Sequence, residues 1–115
     1  MEIIKRTEGL TAGDLYSLTK GSNVRKMADF EGEVLDVLKY VLYKDINGQG
    51  DETSVLALET VAGAKIATNS KTFIRNFSDI LAMYADAGED APTRFIVGSG
   101  TSRSGRKYLT CDIAP

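Results

Sequence analysis

The stretch that most constrains this chain runs from Ser70 to Gly88. Phe73, Phe77, Ile80, Leu81 and Tyr84 recur at i, i+4, i+7, i+8 and i+11, which gathers them on one broad face of an α-helix. Asn69 or Ser70 can cap the first turn and Gly88 can end the last, so the spacing predicts a helix over about 70–87. So wide an apolar face has to be covered. A chain of 115 residues holds one core and not two, so residues 1–115 read as a single domain and the cover comes from within it. The aromatics of this helix therefore read as core.

The remaining chain is dominated by a different period. Glu2 to Arg6 reads as an edge strand or an ordered arm. Thr11 with Asp14 three residues on makes a variant capping box, Leu10 and Leu15 occupy the staple positions, and Gly21 follows as a stop. This predicts a short helix over about 11–19, with Leu15 and Leu18 inward. Residues 33–44 fit two periods. Val34, Leu38, Val41 and Leu42 make a helical stripe; Leu35, Val37, Val41 and Tyr43 alternate with Asp36, Leu38, Tyr40 and Leu42 as in a strand. The turn-rich run from Asp45 to Asp51, centred on Asn47 and Gly48, and the extended run Thr53 to Thr60 beyond it decide for strand, turn and returning strand. Gly63 marks a second turn into Lys65–Thr68, and Gly21 to Gly32, with Lys20, Arg25 and Lys26, reads as a solvated loop. The fold class expected is α+β: a small antiparallel sheet of about five strands, curled into a partly open OB-like barrel, with one long and one short helix.

What the chain lacks narrows its chemistry. It has no histidine, which removes the commonest general base and the commonest transition-metal ligand. One cysteine, Cys111, allows neither an internal disulfide nor a zinc site and fits a reducing compartment. Nothing singles out a working pair among the 16 acids. The inventory points away from an enzyme and calls for no metal and no cofactor. No apolar stretch reaches the roughly 18–20 residues of a membrane span, and the N-terminus lacks the apolar core of a secretory signal, so the expected setting is the cytoplasm.

The net charge of −2 is unevenly spread. From Pro92 onward Arg94, Arg103, Arg106 and Lys107 face a single acid, Asp112, while Asp79, Asp86, Glu89 and Asp90 just before it have no basic residue among them. Two apolar runs flank the glycine- and serine-rich stretch Gly98 to Gly105, the pattern of a β-hairpin with a flexible, Arg-bearing tip. Alternation puts Leu109, Cys111 and Ile113 on the buried side and Arg106, Tyr108, Thr110 and Asp112 on the other. The stretch lacks the Lys-Ser/Thr ending of a P-loop and leads into a strand. Tyrosines exposed on strands among Arg and Lys suit a sequence-tolerant single-strand site, where bases stack on rings and cations track phosphates. Tyr40 and Tyr108 fit that description, although the same pattern serves tyrosines that merely cover a half-buried sheet.

Three segments carry a resemblance. The run Thr101 to Cys111 (TSRSGRKYLTC), the run Ala67 to Arg75 (ATNSKTFIR) and Val34 to Val37 (VLDV) resemble the small single-stranded DNA-binding proteins of phages infecting Gram-positive bacteria. The resemblance covers residue 33 or so to the C-terminus. It implies an OB-like fold and non-catalytic, largely sequence-independent coating of single-stranded DNA during phage replication in the bacterial cytoplasm. RNA stays open as a second strand, replication proteins as possible partners, and a monomer or weak homo-oligomer as the state. The contacts carried over are Tyr40, Arg103, Arg106, Lys107 and Tyr108, followed by Lys39, Lys65, Lys71 and Arg75. Two other classes stay open at this level: an inhibitor of a host defence protein acting through the Asp79–Asp90 side, and a structural or assembly protein using the hairpin as an edge.

Overall fold

The computed structural model describes residues 1–89 and 93–114. Among these residues two helices and seven strands follow one another as β1 (Glu2–Arg6), α1 (Ala12–Thr19), β2 (Arg25–Lys26), β3 (Val34–Ile46), β4 (Glu52–Thr60), β5 (Lys65–Thr68), α2 (Lys71–Asp86), β6 (Thr93–Thr101) and β7 (Lys107–Ile113). A single 3-10 turn, Met27–Phe30, follows β2. The strands form one curled, open sheet in the order β2-β5-β4-β3-β6-β7, with β1 added to the free flank of β3. The class is α+β and the sheet is a half-barrel. The expected strand count of about five is corrected to seven, and the expected antiparallel sheet to a mixed one, because β2 pairs in parallel with β5. The two-residue β2 lies inside the stretch read as a loop. Two residues carry no periodicity, so its pairing exists only in three dimensions.

Both helices sit where their caps put them. In α1 the hydroxyl of Thr11 accepts from the amide of Asp14 at 3.1 Å while the Asp14 carboxylate accepts from the amide of Thr11 at 3.0 Å, closing the capping box. In α2 the hydroxyl of Ser70 accepts from the amide of Phe73.

Strand β3 organises the sheet. It pairs with β4 along Val37–Ile46, with β6 over Val34–Val37 and with β1 over Val41–Lys44. Residues 34–44 are thus strand. Its alternation is broken once: Val37 faces Thr60 and Lys39 faces Glu59, which leaves Leu38 as a bulge residue. The extra residue switches every later side chain to the opposite face. Leu35 and Val37, then Tyr40 and Leu42, turn to the core beneath α2, whereas Val41 and Tyr43 turn to a second cluster with Ala57 and Leu18, closed by Leu10 and Leu15. One strand therefore serves two cores, with α2 on the inner face and α1 on the outer.

The inner core centres on α2. Phe73 and Phe77 meet Phe95 edge-on at 5.6 and 5.7 Å, and Tyr40 meets Phe77 at 5.5 Å. Phe73, Phe77 and Phe95 are all fully buried, each worth about 1.5–3 kcal/mol of burial. Ile113, expected among the buried residues of β7, is 53 % exposed, because it stands at the strand's end beyond the reach of the core that takes Cys111.

Candidate functional site

The two ends of the curled sheet do not meet. Between the β2/β5 end and β7 runs an open groove of about 590 Å³ whose walls include Lys26, Thr68 and Ser70 on one side and Lys107, Tyr108 and Leu109 on the other, with Met27 below. β7 is the free edge along this seam, and its register says which backbone groups face out. The amide of Ser102 bonds to the carbonyl of Arg106 at 2.8 Å. That fixes 102/106 as a hydrogen-bonded pair, so Thr101/Lys107, Ser99/Leu109 and Val97/Cys111 are the intervening pairs whose backbone groups point away from β6. The amide of Cys111 is met by the side-chain oxygen of Asn76 on α2 at 3.2 Å. Nearer the tip, Lys107 and Leu109 present theirs to the seam.

The hairpin tip is shorter than its composition suggests. β6 runs through Thr101, so Gly98, Ser99 and Gly100 are strand residues and the turn is confined to Ser102–Arg106. In place of a flexible loop there is a bonded turn: the Ser102 hydroxyl accepts from the amide of Arg106, the hydroxyls of Ser102 and Ser104 lie 2.9 Å apart, and Gly105 takes the left-handed conformation that L side chains resist. Gly98 and Gly100 allow close approach. A Cβ on Gly100 would lie 2.6 Å from the end of the Tyr108 ring, and one on Gly98 would lie 2.6 Å from the Thr110 hydroxyl. Tyr108 thus lies across a side-chain-free patch of β6, 39 % exposed. Pleating puts it on one side of the edge strand and Lys107 on the other.

Of the residues expected to form a site, Arg103, Arg106, Lys107 and Tyr108 stand together on the exposed hairpin. Lys71, exposed at the start of α2, follows groove-lining Ser70, and Arg75 stands one turn further along. Three others lie elsewhere. The Tyr40 ring is half-buried on Phe77, and burial pushes its phenol above the ordinary tyrosine value. The expected exposure of Tyr40 assumed unbroken alternation, which the bulge at Leu38 ends. The Lys39 amine is 3.1 Å from Asp14 on the α1 side, and Lys65 borders a recess with Tyr16 and Lys20 on that side. One basic groove residue escaped the sequence reading. Lys26 was part of a weak basic cluster taken as solvated; Arg25 beside it lays its guanidinium over the Phe30 ring, 4.5 Å from the centroid. The signal was present, as Arg25, Lys26 and a following apolar pair, Met27 and Phe30, but too short to read as structure.

Charge is arranged along α2. Arg25, Lys26, Lys71, Arg75, Arg103, Arg106 and Lys107 are exposed around its N-terminal end and the hairpin. Asp79, Asp86 and Glu89 are exposed further along the helix and beyond its C-terminus, and Asp90 lies outside the described residues. Glu31 enters the basic region: its Oε2 accepts from the Lys107 amine at 3.0 Å, and its Oε1 accepts from the Ser99 hydroxyl. These two bonds, Ser99 foremost, hold the Glu31 carboxyl below the ordinary glutamate range. The Cys111 thiol is pushed up to about 12, mostly by burial and then by neighbouring Asp112, which leaves it an inert core residue. Among the described residues no cluster of three His, Cys, Asp or Glu is placed to hold a metal ion, and no helix is long and apolar enough to cross a membrane. Comparison with known proteins finds no matching family model, no matching curated protein and no matching solved structure.

Proposed function

We propose that this protein binds single-stranded nucleic acid, without catalysis and with little sequence preference, across the free edge of β7 at the open seam of the half-barrel. One observation carries the reading. Lys107 and Tyr108, consecutive on an edge strand, present an amine and a ring to opposite sides of it, beside a groove whose other wall supplies Lys26 and Ser70. A strand of bases and phosphates needs that alternation of ring and cation, and every base offers a face to stack. The negative total charge does not oppose the reading, because contact is governed by the local field and the acids of α2 lie toward its other end.

The finer parts of the reading follow from the sequence resemblance and the curled sheet together. An OB-like module of this kind would coat single-stranded DNA during phage replication in the bacterial cytoplasm. Arg103, Arg106, Lys107, Lys71 and Lys26 neutralise phosphates and Tyr108 stacks a base; Arg75 extends the track along α2. Tyr40, Lys39 and Lys65 lie off this path and are not part of it.

Titrating an oligothymidine while following tyrosine fluorescence tests the proposal. Affinity is expected to fall steeply with salt, since each neutralised phosphate releases counterion. Tyr108→Ala should weaken binding by about 1–3 kcal/mol, the worth of one stacked base. Replacing Arg103, Arg106 and Lys107 together by Ala should remove most of the remainder. A triple variant that binds as well as the parent rejects the hairpin as the site. Reversing the charges of Asp86 and Glu89 should leave binding intact, whereas an inhibitor acting through that surface would lose its activity.

A further inference from the structure

The Glu31 carboxylate, bonded to Ser99 and Lys107, is too well placed to be an incidental surface pair. Its position is set by backbone on both sides. Phe30 before it is buried, and Gly32 after it adopts a φ of +85° and donates its amide to the carbonyl of Val97 at 2.7 Å. The amide of Glu33 in turn bonds to the carbonyl of Phe30 at 2.9 Å. A tight turn thus delivers one carboxylate to two donors that come from 68 and 76 residues further along the chain. Each oxygen takes one donor, a hydroxyl from β6 and an ammonium from β7. Glu31 and Lys107 also border a recess of about 190 Å³ with Ala28, Tyr108 and Leu109.

A hydroxyl and an ammonium converging on two oxygens of one anion are what a phosphodiester group asks for, because its two non-bridging oxygens resemble a carboxylate in spacing and charge. We infer that Ser99 and Lys107 form an oxyanion seat for a phosphate of the bound strand, and that Glu31 occupies this seat in the free protein as a built-in competitor. The inference rests on the nucleic-acid reading above and sharpens it: Ser99 becomes a contact, and Glu31 becomes the residue that limits affinity. An exposed ion pair of this kind is weak, so a phosphate already anchored by a base on Tyr108 and by the neighbouring cations displaces it. While Glu31 is seated, Lys107 is neutralised and adds little to the attraction of stray anions.

The test compares the full chain with Glu31→Gln, which keeps the shape and removes the charge. Oligothymidine should bind Glu31→Gln about three- to fivefold more tightly, the fold-change that loss of one exposed competing pair allows. The slope of log affinity against log salt should steepen by about 0.7, one further phosphate on a single strand. Glu33→Gln, which removes an equal charge two residues away, should do neither, and Glu31→Gln should gain nothing in a Lys107→Met background. Equal affinity and slope for Glu31→Gln and parent would overturn the inference, as would a gain that survives Lys107→Met. A second arm uses inorganic phosphate alone, followed through the amide resonances of Ser99 and Lys107. Those resonances should respond at lower phosphate in Glu31→Gln than in the parent, and absence of any response in Glu31→Gln would remove the seat itself. A response to phosphate without binding of the oligonucleotide would keep the seat and reject the nucleic-acid reading.

Discussion

Gly100 gives Tyr108 its place. In a strand a glycine weakens pairing and is kept where something must come close, and here the end of the Tyr108 ring stands 2.6 Å from where a Cβ would be. Gly100→Ala should therefore lift the ring from β6 while sparing the backbone, whose φ at this position is not in the left-handed region. Oligothymidine binding should weaken by up to about tenfold, part of the worth of one stacked base, while thermal unfolding changes little. A Gly100→Ala chain that binds like the parent would show that the ring's present position does not matter. At this scale Arg103, Arg106, Lys107 and Tyr108 could be picked out from the sequence by charge and alternation. Ser99 and Glu31 could not, because their partnership joins residues 68 apart and neither stands in a motif. Composition alone puts Gly98 and Gly100 in the loop, although their offset of two is itself the mark of one face of a strand.

Among the elements, α1 shows most plainly how a local signal sets both structure and its pH response. Thr11 and Asp14 exchange hydrogen bonds across the first turn, and Lys39 from β3 adds its amine to the Asp14 carboxylate. Thr11→Ala should cost about 1 kcal/mol of stability, read from urea unfolding. The Asp14 carboxyl is held below its ordinary value of 3.8, first by the Thr11 amide and then by Lys39. Its folded value is therefore the lower one. The stabilisation it brings is complete above the ordinary carboxylate range and is lost as acid takes the pH down through the depressed value. Below pH 3.8 the parent should lose stability more steeply than Asp14→Asn, and equal slopes would mean that the capping box is not titrating. Both helices were legible because caps and period are written within a few residues of each other. The hairpin of β3 and β4 was legible from its turn, although the left-handed residue there is Gly50 and the Asn47 side chain accepts from the amides of Gln49 and Asp51. The face of Tyr40 was not, since a bulge depends on what the partner strand offers and leaves no local mark.

For the molecule as a whole, Leu38 is the extra residue of β3 that sets Leu35 and Val37 on the same face as Tyr40 and Leu42, with Val41 and Tyr43 on the other. Deleting it restores unbroken alternation to β3. In the shortened strand Leu35, Val37, Tyr40 and Leu42 still share one face and Val41 and Tyr43 the other, so both cores keep their residues. The deletion variant should therefore unfold cooperatively and keep its amide dispersion, as should Leu38→Ala, which keeps the bulge. A deletion variant that no longer unfolds cooperatively would show that the bulge itself, and not only the facing it sets, is required. The seam has a different consequence. A closed barrel is a hoop: its girth is fixed by a complete ring of backbone bonds. Here the ring is interrupted between β2/β5 and β7, and α2 packs across the interruption, with a bond from the Cys111 amide to Asn76, while Glu31 reaches over to Ser99 and Lys107. The structure is a clasp, and its aperture is set by how α2 seats on Phe95 and β7. Substitutions in that inner core can retune the width of the gap without breaking any strand pairing.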